Sequence, residues 1–508
     1  MSHAAGSFDS GVSANAPPLH SRARHRLCRT SFPPQLLLLA QSALAQTYDA
    51  VVVGAGLSGL GAAKALSEAG KSFIVLEARD RVGGRVLNRA LKDGGYTEVG
   101  AEFIGETQDK VLALARELGL ELYPEYNTGE SVLYHKGKRQ TYASSPVPPV
   151  DELSTTQVLT VIASLNALVL GVDVQNPWNS TLADHWDKKT FDEWLKPFLL
   201  TESARFLIQA AVETVFSVEP DEISLLYTLS YIAAAGNETT KGTFDRLISI
   251  DNGGAQQWRV DGGTQLLAIR LAEKLGNVRL SAPVRKIAKT DESSYTVTLK
   301  DGSTVQGAHV VVAMSPPLAR QITYEPALPA ARDQLTAQMR MGSIGKAIAV
   351  YDSSWWRTAE AGGLTGQAVS DTGLARSTFD QSLREGHNPP VSALMTFLEA
   401  GQMREYDNKT EAEITAQVDR DFVTYFGARA GGDNVKEWVV QRWDLEEYSQ
   451  GGPTAVAGPG IYTNYGPALR QRVGNLHFAG TESSDYWIGY MEGALRSGYR
   501  AAAEIIKG

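Results

Sequence analysis

The sequence predicts an α/β fold, α+β in part: a parallel sheet built around a glycine turn, a second mixed sheet, and a mostly helical insertion. Three observations predict it. Residues 48–85 read YDAVVVGAGLSGLGAAKALSEAGKSFIVLEARDRVGGR, apolar residues fall at helical spacing through 151–235, and strand-like runs return from residue 252 onward. The β-branched run Ala50–Val53 suits a strand buried on both faces of a parallel sheet. Gly54, Gly56 and Gly59 then form GxGxxG. The first lets the chain turn, the second lets a pyrophosphate approach the backbone, and the third lets the following helix pack close to the strand. That helix would aim its N-terminal amides at the phosphates. A second apolar strand, Ser72–Leu76, ends in Glu77, 23 residues after Gly54, where an acid accepts from ribose hydroxyls and disfavours a 2′-phosphate. This is a Rossmann-like unit.

Further along, the order of elements is legible in outline. Arg81-Val82-Gly83-Gly84-Arg85 is a second glycine turn, whose amides and guanidinium forks suit a diphosphate that continues into a flavin rather than a nicotinamide. Thr97–Gln108 reads as a strand and small-residue turn, and Lys110–Leu118 as a helix. Val158–Val172 and Phe206–Phe216 carry helical periodicity. A helix leads from Gly262-Gly263-Thr264 through Lys274, and Val278–Ser281, Val284–Lys289, Tyr295–Lys300 and Ala308–Met314 read as strands, with a turn at Asp301-Gly302. Strands and a helix, Glu411–Phe426, follow, and the chain ends in a strand, Asn475–Ala479, and a helix from Met491. The implied division is an N-terminal extension (1–46), a discontinuous cofactor domain (47–122, 260–335, 446–508) and a substrate domain (123–259, 336–445), with the ligand where the two meet.

Composition narrows the function class. The 508 residues suggest two or three domains, and a formal charge of −9 without long runs of like charge argues against nucleic acid as a partner. The single cysteine, Cys28, excludes intramolecular disulfides and a cysteine-ligated zinc, and the scattered histidines give no metal-ligand spacing, so no metal is expected. His477 reads as a packed residue. No apolar stretch is expected to reach the ~18 residues of a membrane span. Residues 1–46 are arginine-rich and acid-poor with a Leu36–Leu39 run, compatible with a secretory signal, a transit peptide or a plain extension. Sequons at Asn179, Asn237 and Asn408 are compatible with secretion. The expected location is soluble, cytoplasmic or secreted, with mitochondrial less favoured, and the Ile506-Lys507-Gly508 end is not a peroxisomal SKL-type signal.

Near the end, NLHFAGT (Asn475–Thr481) precedes GYMEGA (Gly489–Ala494) at the start of the last helix. GxGxxG, LEARDRVGGR, GTE and GYMEGA in this order resemble the flavin monoamine oxidase family, which includes polyamine and L-amino acid oxidases, over nearly everything from Tyr48 to Gly508. The resemblance implies FAD, with phosphates and ribose held at Gly54, Gly56, Ser58, Gly59, Glu77, Arg79, Gly84 and Arg85. It places Val284 at the adenine, Gly100, Gly480, Glu482, Gly489 and Met491 around the flavin, and Trp443 packed beside it. It makes Lys346, in Gly342-Ser343-Ile344-Gly345-Lys346-Ala347, the lysine that holds a water at flavin N5 for reaction with oxygen. Without the resemblance, Lys346 would read as a solvated edge-strand residue. Tyr490 would orient the amine, with Gln256, Ile248, Pro453 and Phe103 as substrate-pocket residues.

One departure stands out. The position of the FAD-linking cysteine in mammalian monoamine oxidases is Gly452 here, and the adjacent tyrosine is Pro453, so FAD is expected to be non-covalent and the amine cage open on one side. Gln450–Thr454 resembles fungal amine oxidases with dissociable FAD, some acting on long-chain aminopolyols such as fumonisins. The chain ends 15 residues after Gly493, so the mammalian membrane-anchoring tail is not expected. The function implied is oxidation of a primary amine to an imine with O2 reduced to H2O2, the partners being a small-molecule amine and O2, with a homo-oligomer possible in the family. A polyamine or L-amino acid oxidase is the alternative reading, and a non-catalytic flavin-fold binding protein the one from another class.

Overall fold

The computed structural model describes residues 47–508 apart from Ser144 and Pro146; the expectations for 1–46, including Cys28, lie outside these residues. The described residues fall within one compact unit.

Thr47–Val53 is the strand the first sheet grows from. It pairs in parallel with Phe73–Leu76 on one side and Thr304–Ala313 on the other, in the register Val51↔Ile74 and Val51↔Val310. The outer edge of Thr304–Ala313 is shared, its start antiparallel to Tyr295–Leu299 and its end parallel to Leu476–Ala479. Alternation along the first strand sends Ala50 and Val52 to one core and Val51 and Val53 to another, so both faces are covered. Three helices, Leu57–Glu68, Gln265–Leu275 and Met491–Lys507, cover the first face. The first and last of these meet through glycine: a Cβ on Gly498 would sit 2.1 Å from the Ser58 carbonyl oxygen.

The second sheet runs in the order Glu437–Arg442, Ile344–Tyr351, Ser392–Glu399, Ser377–Asp380, Leu364–Ser370, Glu130–His135, Lys138–Ala143. Lys346 sits opposite Phe397 and Gln441 on flanking antiparallel strands, so it is an interior-strand residue and not an edge one. The helix Glu411–Phe426 covers one face of this sheet through Ile414, Val418 and Phe422. The hairpin of Glu130–His135 and Lys138–Ala143 is absent from the sequence reading; its signal is the turn Lys136-Gly137, both at positive φ. Its Lys138–Ala143 strand is polar and mostly exposed, which hides it from any apolar count.

The insertion is helical as expected, with Glu152–Leu168, Glu202–Phe216 and Leu225–Ala234 sharing one core. The expectation that no stretch matches a membrane span is corrected here. Glu152–Gly171 is long and apolar enough to do so by composition, because its Ser, Thr, Gln and Asn interrupt the apolar run without adding charge. Its Val158, Val161, Leu165 and Val169 are nevertheless buried against the helical core. His477 is buried, with Nδ1 2.7 Å from Glu504 and Nε2 3.2 Å from His309 Nδ1, a packed histidine in a hydrogen-bonded row.

Where the helical core meets the second sheet, Glu213 and Glu399 are buried together. Burial and the neighbouring Glu213 push the Glu399 carboxyl up to about 8, and burial with Glu219 pushes Glu213 up to about 7. Against an ordinary value near 4.5, the folded protein holds protons there that the unfolded chain has released. Stability from this source is present below about pH 4.5 and is lost as pH rises toward 8, by at most about 5 kcal/mol for Glu399. We predict that Glu399→Gln flattens the fall in melting temperature between pH 5 and 9 and stabilises the protein at pH 8.5; parallel melting curves for both proteins across that range would contradict it.

Candidate active site

A single long cavity of ≈ 330 Å³ runs from the glycine turn of the first sheet, past the Tyr96–Glu98 strand end, to the wall of the helical region. The glycines cradle it. Gly54 lies at φ +106, and a Cβ there would meet the Ala313 carbonyl oxygen at 2.7 Å. A Cβ on Gly59 would lie 1.9 Å from the Gly54 oxygen, so this glycine sets how closely helix packs on strand, while Gly59 itself does not line the cavity. The helix beginning at Leu57 has no side-chain cap, and neither does the last helix at its N-cap Tyr490. Two helix N-termini therefore offer unpaired amides to the cavity, an arrangement suited to an anionic, polar cofactor.

Side chains complete the same test. Glu77 accepts from the amides of Ala55 (2.7 Å) and Arg79 (2.9 Å), which fixes both its oxygens at the end of the second strand and leaves lone pairs for hydroxyls. Arg79 is held by Glu446 and Ser449. Arg85 donates to Glu482 (2.8 Å) and to the Pro453 carbonyl (2.7 Å), so Glu482 acts by orienting Arg85 and does not line the cavity. The Ser58 hydroxyl lies 3.1 Å from Ser497 at the seam of the first and last helices. Gly56, Gly84, Gly100, Val284, Gly480, Gly489 and Met491 all line the cavity. Trp443 lines it too, its indole donating to the Val99 carbonyl at 2.7 Å. These residues fit FAD: amides and an acid at one end, a narrow glycine and tryptophan slot at the other.

The far end is aromatic and apolar. Phe103, Tyr231, Phe379, Phe397, Ile344, Pro453 and Tyr490 line it. Tyr490 packs edge-on to Trp487 (4.8 Å) and tilted to Tyr231 (6.2 Å). Burial pushes both phenols up, Tyr231 further through its neighbour Tyr490, so both stay neutral and present π faces rather than a base. Gln256 lines the cavity and is anchored by its Nε2 on the Leu247 carbonyl, while its Oε1 is buried without a hydrogen-bond partner and is turned away from accessible space. Ile248 does not line the cavity; it is half-buried against the helical core, because the turn of 249–256 carries Gln256 to the wall and leaves Ile248 behind it.

Lys346 lines the cavity in a more constrained state than expected. Its ammonium donates to the Glu98 carbonyl (3.1 Å), the Gly100 carbonyl (2.9 Å) and Glu102 Oε1 (2.7 Å). An ammonium has three protons, and these acceptors take all of them, so holding a water requires one of the three bonds to be yielded. Sequence reasoning missed Glu102, Tyr231, Phe379 and Phe397. The first sits one residue from Phe103 but is partnered by a lysine 244 positions away; the others carry no local motif.

A family model described as flavin containing amine oxidoreductase matches residues 57–506. A protein named as flavin-containing monoamine oxidase AofH, of Mycobacterium tuberculosis, is 38% identical over 460 residues, covering 90% of this chain and 96% of that one. The structure of cyclohexylamine oxidase from Brevibacterium oxydans superposes with TM-score 0.83 at 32% identity, over 91% of this chain and 99% of that one. Putrescine oxidase bound to putrescine gives TM-score 0.84 at 29% identity, over 91% of this chain and 100% of that one.

Two outcomes follow from this geometry. Glu77→Ala removes a carboxylate aimed at ribose hydroxyls and should weaken FAD retention by roughly 1.5–3 kcal/mol, read as flavin occupancy after dialysis; occupancy equal to the parent would place the acid elsewhere. Among the described residues, the cavity wall contains no cysteine or histidine, so acid precipitation should leave the yellow colour in the supernatant, and colour on the pellet would show a covalent link.

Proposed function

The chain belongs to the flavin containing amine oxidoreductase family, enzymes that act on amines with FAD as cofactor, and on that premise we propose that it oxidises a primary monoamine with an apolar body to the imine, reducing O2 to H2O2. Water converts the released imine to an aldehyde or ketone and ammonia. The observation that carries the monoamine reading is the state of the charges in the wall. The acids lining the cavity are Glu77 and Glu102, and the cations are Arg79, Arg85 and Lys346. Glu102 is engaged by Lys346 and Gln381, and Glu77 by two amides. Among the described residues of the wall, no carboxylate is left for the second ammonium of a diamine. Arg79 and Arg85 are paired with Glu446 and Glu482 near the dinucleotide end, which leaves no clamp for an amino-acid carboxylate.

Bound FAD supplies the redox chemistry, accepting two electrons from the amine and passing them to O2. The chain's own residues set up the substrate. The aromatic wall disfavours an ammonium, so the amine enters its neutral, oxidisable form without a carboxylate base. Tyr490 and Tyr231 offer neutral ring faces to the nitrogen. Pro453, where a second ring would close the cage, leaves room for an extended aliphatic substrate, long-chain amines and aminopolyols among them. The first sheet and its helices are read as the cofactor domain, and the second sheet with the helical insertion as the substrate domain.

A panel of amines with a peroxide readout tests the substrate class: alkyl and cycloalkyl monoamines should exceed putrescine, spermidine and L-amino acids in kcat/KM, and a preference for any of the latter would overturn the reading. For Lys346, the expected role is charge stabilisation during reaction with oxygen. Stopped-flow measurement of Lys346→Met should show anaerobic reduction by a good amine little changed and reoxidation slowed by about 10²-fold, as for loss of ~3 kcal/mol. Reoxidation at the parent rate would remove Lys346 from the reaction.

A further inference from the structure

We propose that Glu102 is the positioning residue of Lys346, fixing the ammonium on the cavity wall and cancelling its charge there. This rests on the reading that Lys346 faces the flavin. Both side chains are almost wholly buried, at 4% and 1% exposure, with Nζ 2.7 Å from Oε1. The pair is not incidental contact between flexible ends. The other oxygen of Glu102 accepts from Gln381 Nε2 at 2.6 Å and lies 3.9 Å from the Arg259 guanidinium, so the carboxylate is held on the side away from the lysine. The lysine's remaining two bonds go to the carbonyls of Glu98 and Gly100, on the same strand end that carries Glu102. The Phe397 ring lies 5.5 Å from the ammonium and closes the apolar side.

Charge accounting in this cluster supports the pairing. Glu98, Glu102 and Glu125 face Arg259 and Lys346, three acids against two cations. Burial pushes the carboxyls of both Glu125 and Glu98 up against the pull of Arg259, so the excess of acids over cations is smaller than the count of groups. Within it, Lys346 and Glu102 are the two groups that reach the cavity. Seen from the cavity they form a dipole, whose field falls off faster than that of a lone cation. The oxygen chemistry then responds to an ammonium whose charge is tuned by its partner, a control that Lys346 alone would not have.

The test uses the FAD-loaded enzyme and sulfite, which adds reversibly to flavins and binds more tightly the more positive their surroundings. Glu102→Gln keeps the shape and adds one net positive charge, Lys346→Met removes one, and the double variant restores the parent's net charge without leaving a buried charge unpaired. Sulfite should bind at least about tenfold tighter to Glu102→Gln and about tenfold weaker to Lys346→Met, with the double variant near the parent. If Glu102→Gln does not fold, the comparison of Lys346→Met with the double variant decides alone. A double variant that stays at the Lys346→Met affinity overturns the role of Glu102. Unchanged affinity in Lys346→Met itself would instead remove the lysine from the flavin, and the proposal with it.

Discussion

Around the cavity, structure hangs on one buried guanidinium. Arg259 donates to Glu98 Oε2 through Nε (3.1 Å) and Nη2 (3.0 Å), and to the Ser382 carbonyl through Nη1 (3.1 Å). Glu98 spends its other oxygen on the Thr264 amide (2.7 Å) and hydroxyl, at the start of the Gln265–Leu275 helix. One cation thus joins the strand end at 96–98, a helix of the first sheet and a strand connection of the second. Burial pushes the Glu98 carboxyl up while Arg259 pulls it down, a balance that holds only while both are present. Removing one partner of such a pair typically costs about 3–5 kcal/mol, more than any one apolar contact in the wall. The Glu98 and Gly100 carbonyls that receive Lys346 are therefore fixed points rather than mobile loop atoms.

The same logic explains the GTE element. Glu482 is buried and receives Arg85 as well as the Ala455 amide at 3.2 Å. Arg85 in turn reaches the Pro453 carbonyl. A carboxylate from the turn after the last strand, an arginine from the second glycine turn and the loop at 452–455 are tied together by these bonds. A neutral side chain at 482 would leave Arg85 half-buried with one carbonyl acceptor, and its guanidinium would turn toward solvent.

How much of this was legible depended on distance along the chain. The glycine turn, Glu77 and the last helix are local features whose chemistry is written within 30 residues, and the structure places them where the sequence implies. The helix Glu411–Phe426 matches its expected bounds because its capping box, Thr410 with Glu413, and its apolar stripe are both local. Glu102, Tyr231 and Gln381 were not legible, since what makes them matter is a partner far away along the chain: Lys346, Tyr490 and Glu102 respectively. Lys346 was placed by resemblance, and its three-acceptor cage by nothing in its own strand. Ile248 failed for the opposite reason: its neighbour Gln256 is near in sequence, but the intervening turn points the two side chains differently.

A wall in which every charge already has a partner constrains its substrate more than an uncharged wall would. An incoming ammonium cannot borrow Glu102 without stripping Lys346 of its shortest bond, and leaving a buried charge unpaired costs several kcal/mol. A neutral amine asks for far less, and the ring faces of Tyr490 and Tyr231 line the same space. The Lys346–Glu102 pair therefore does two things at once. On the proposed function it keeps a cation beside the cofactor and leaves the substrate end without a free anion, so that the proposed preference for a neutral amine rests on the same bond that holds the lysine in place.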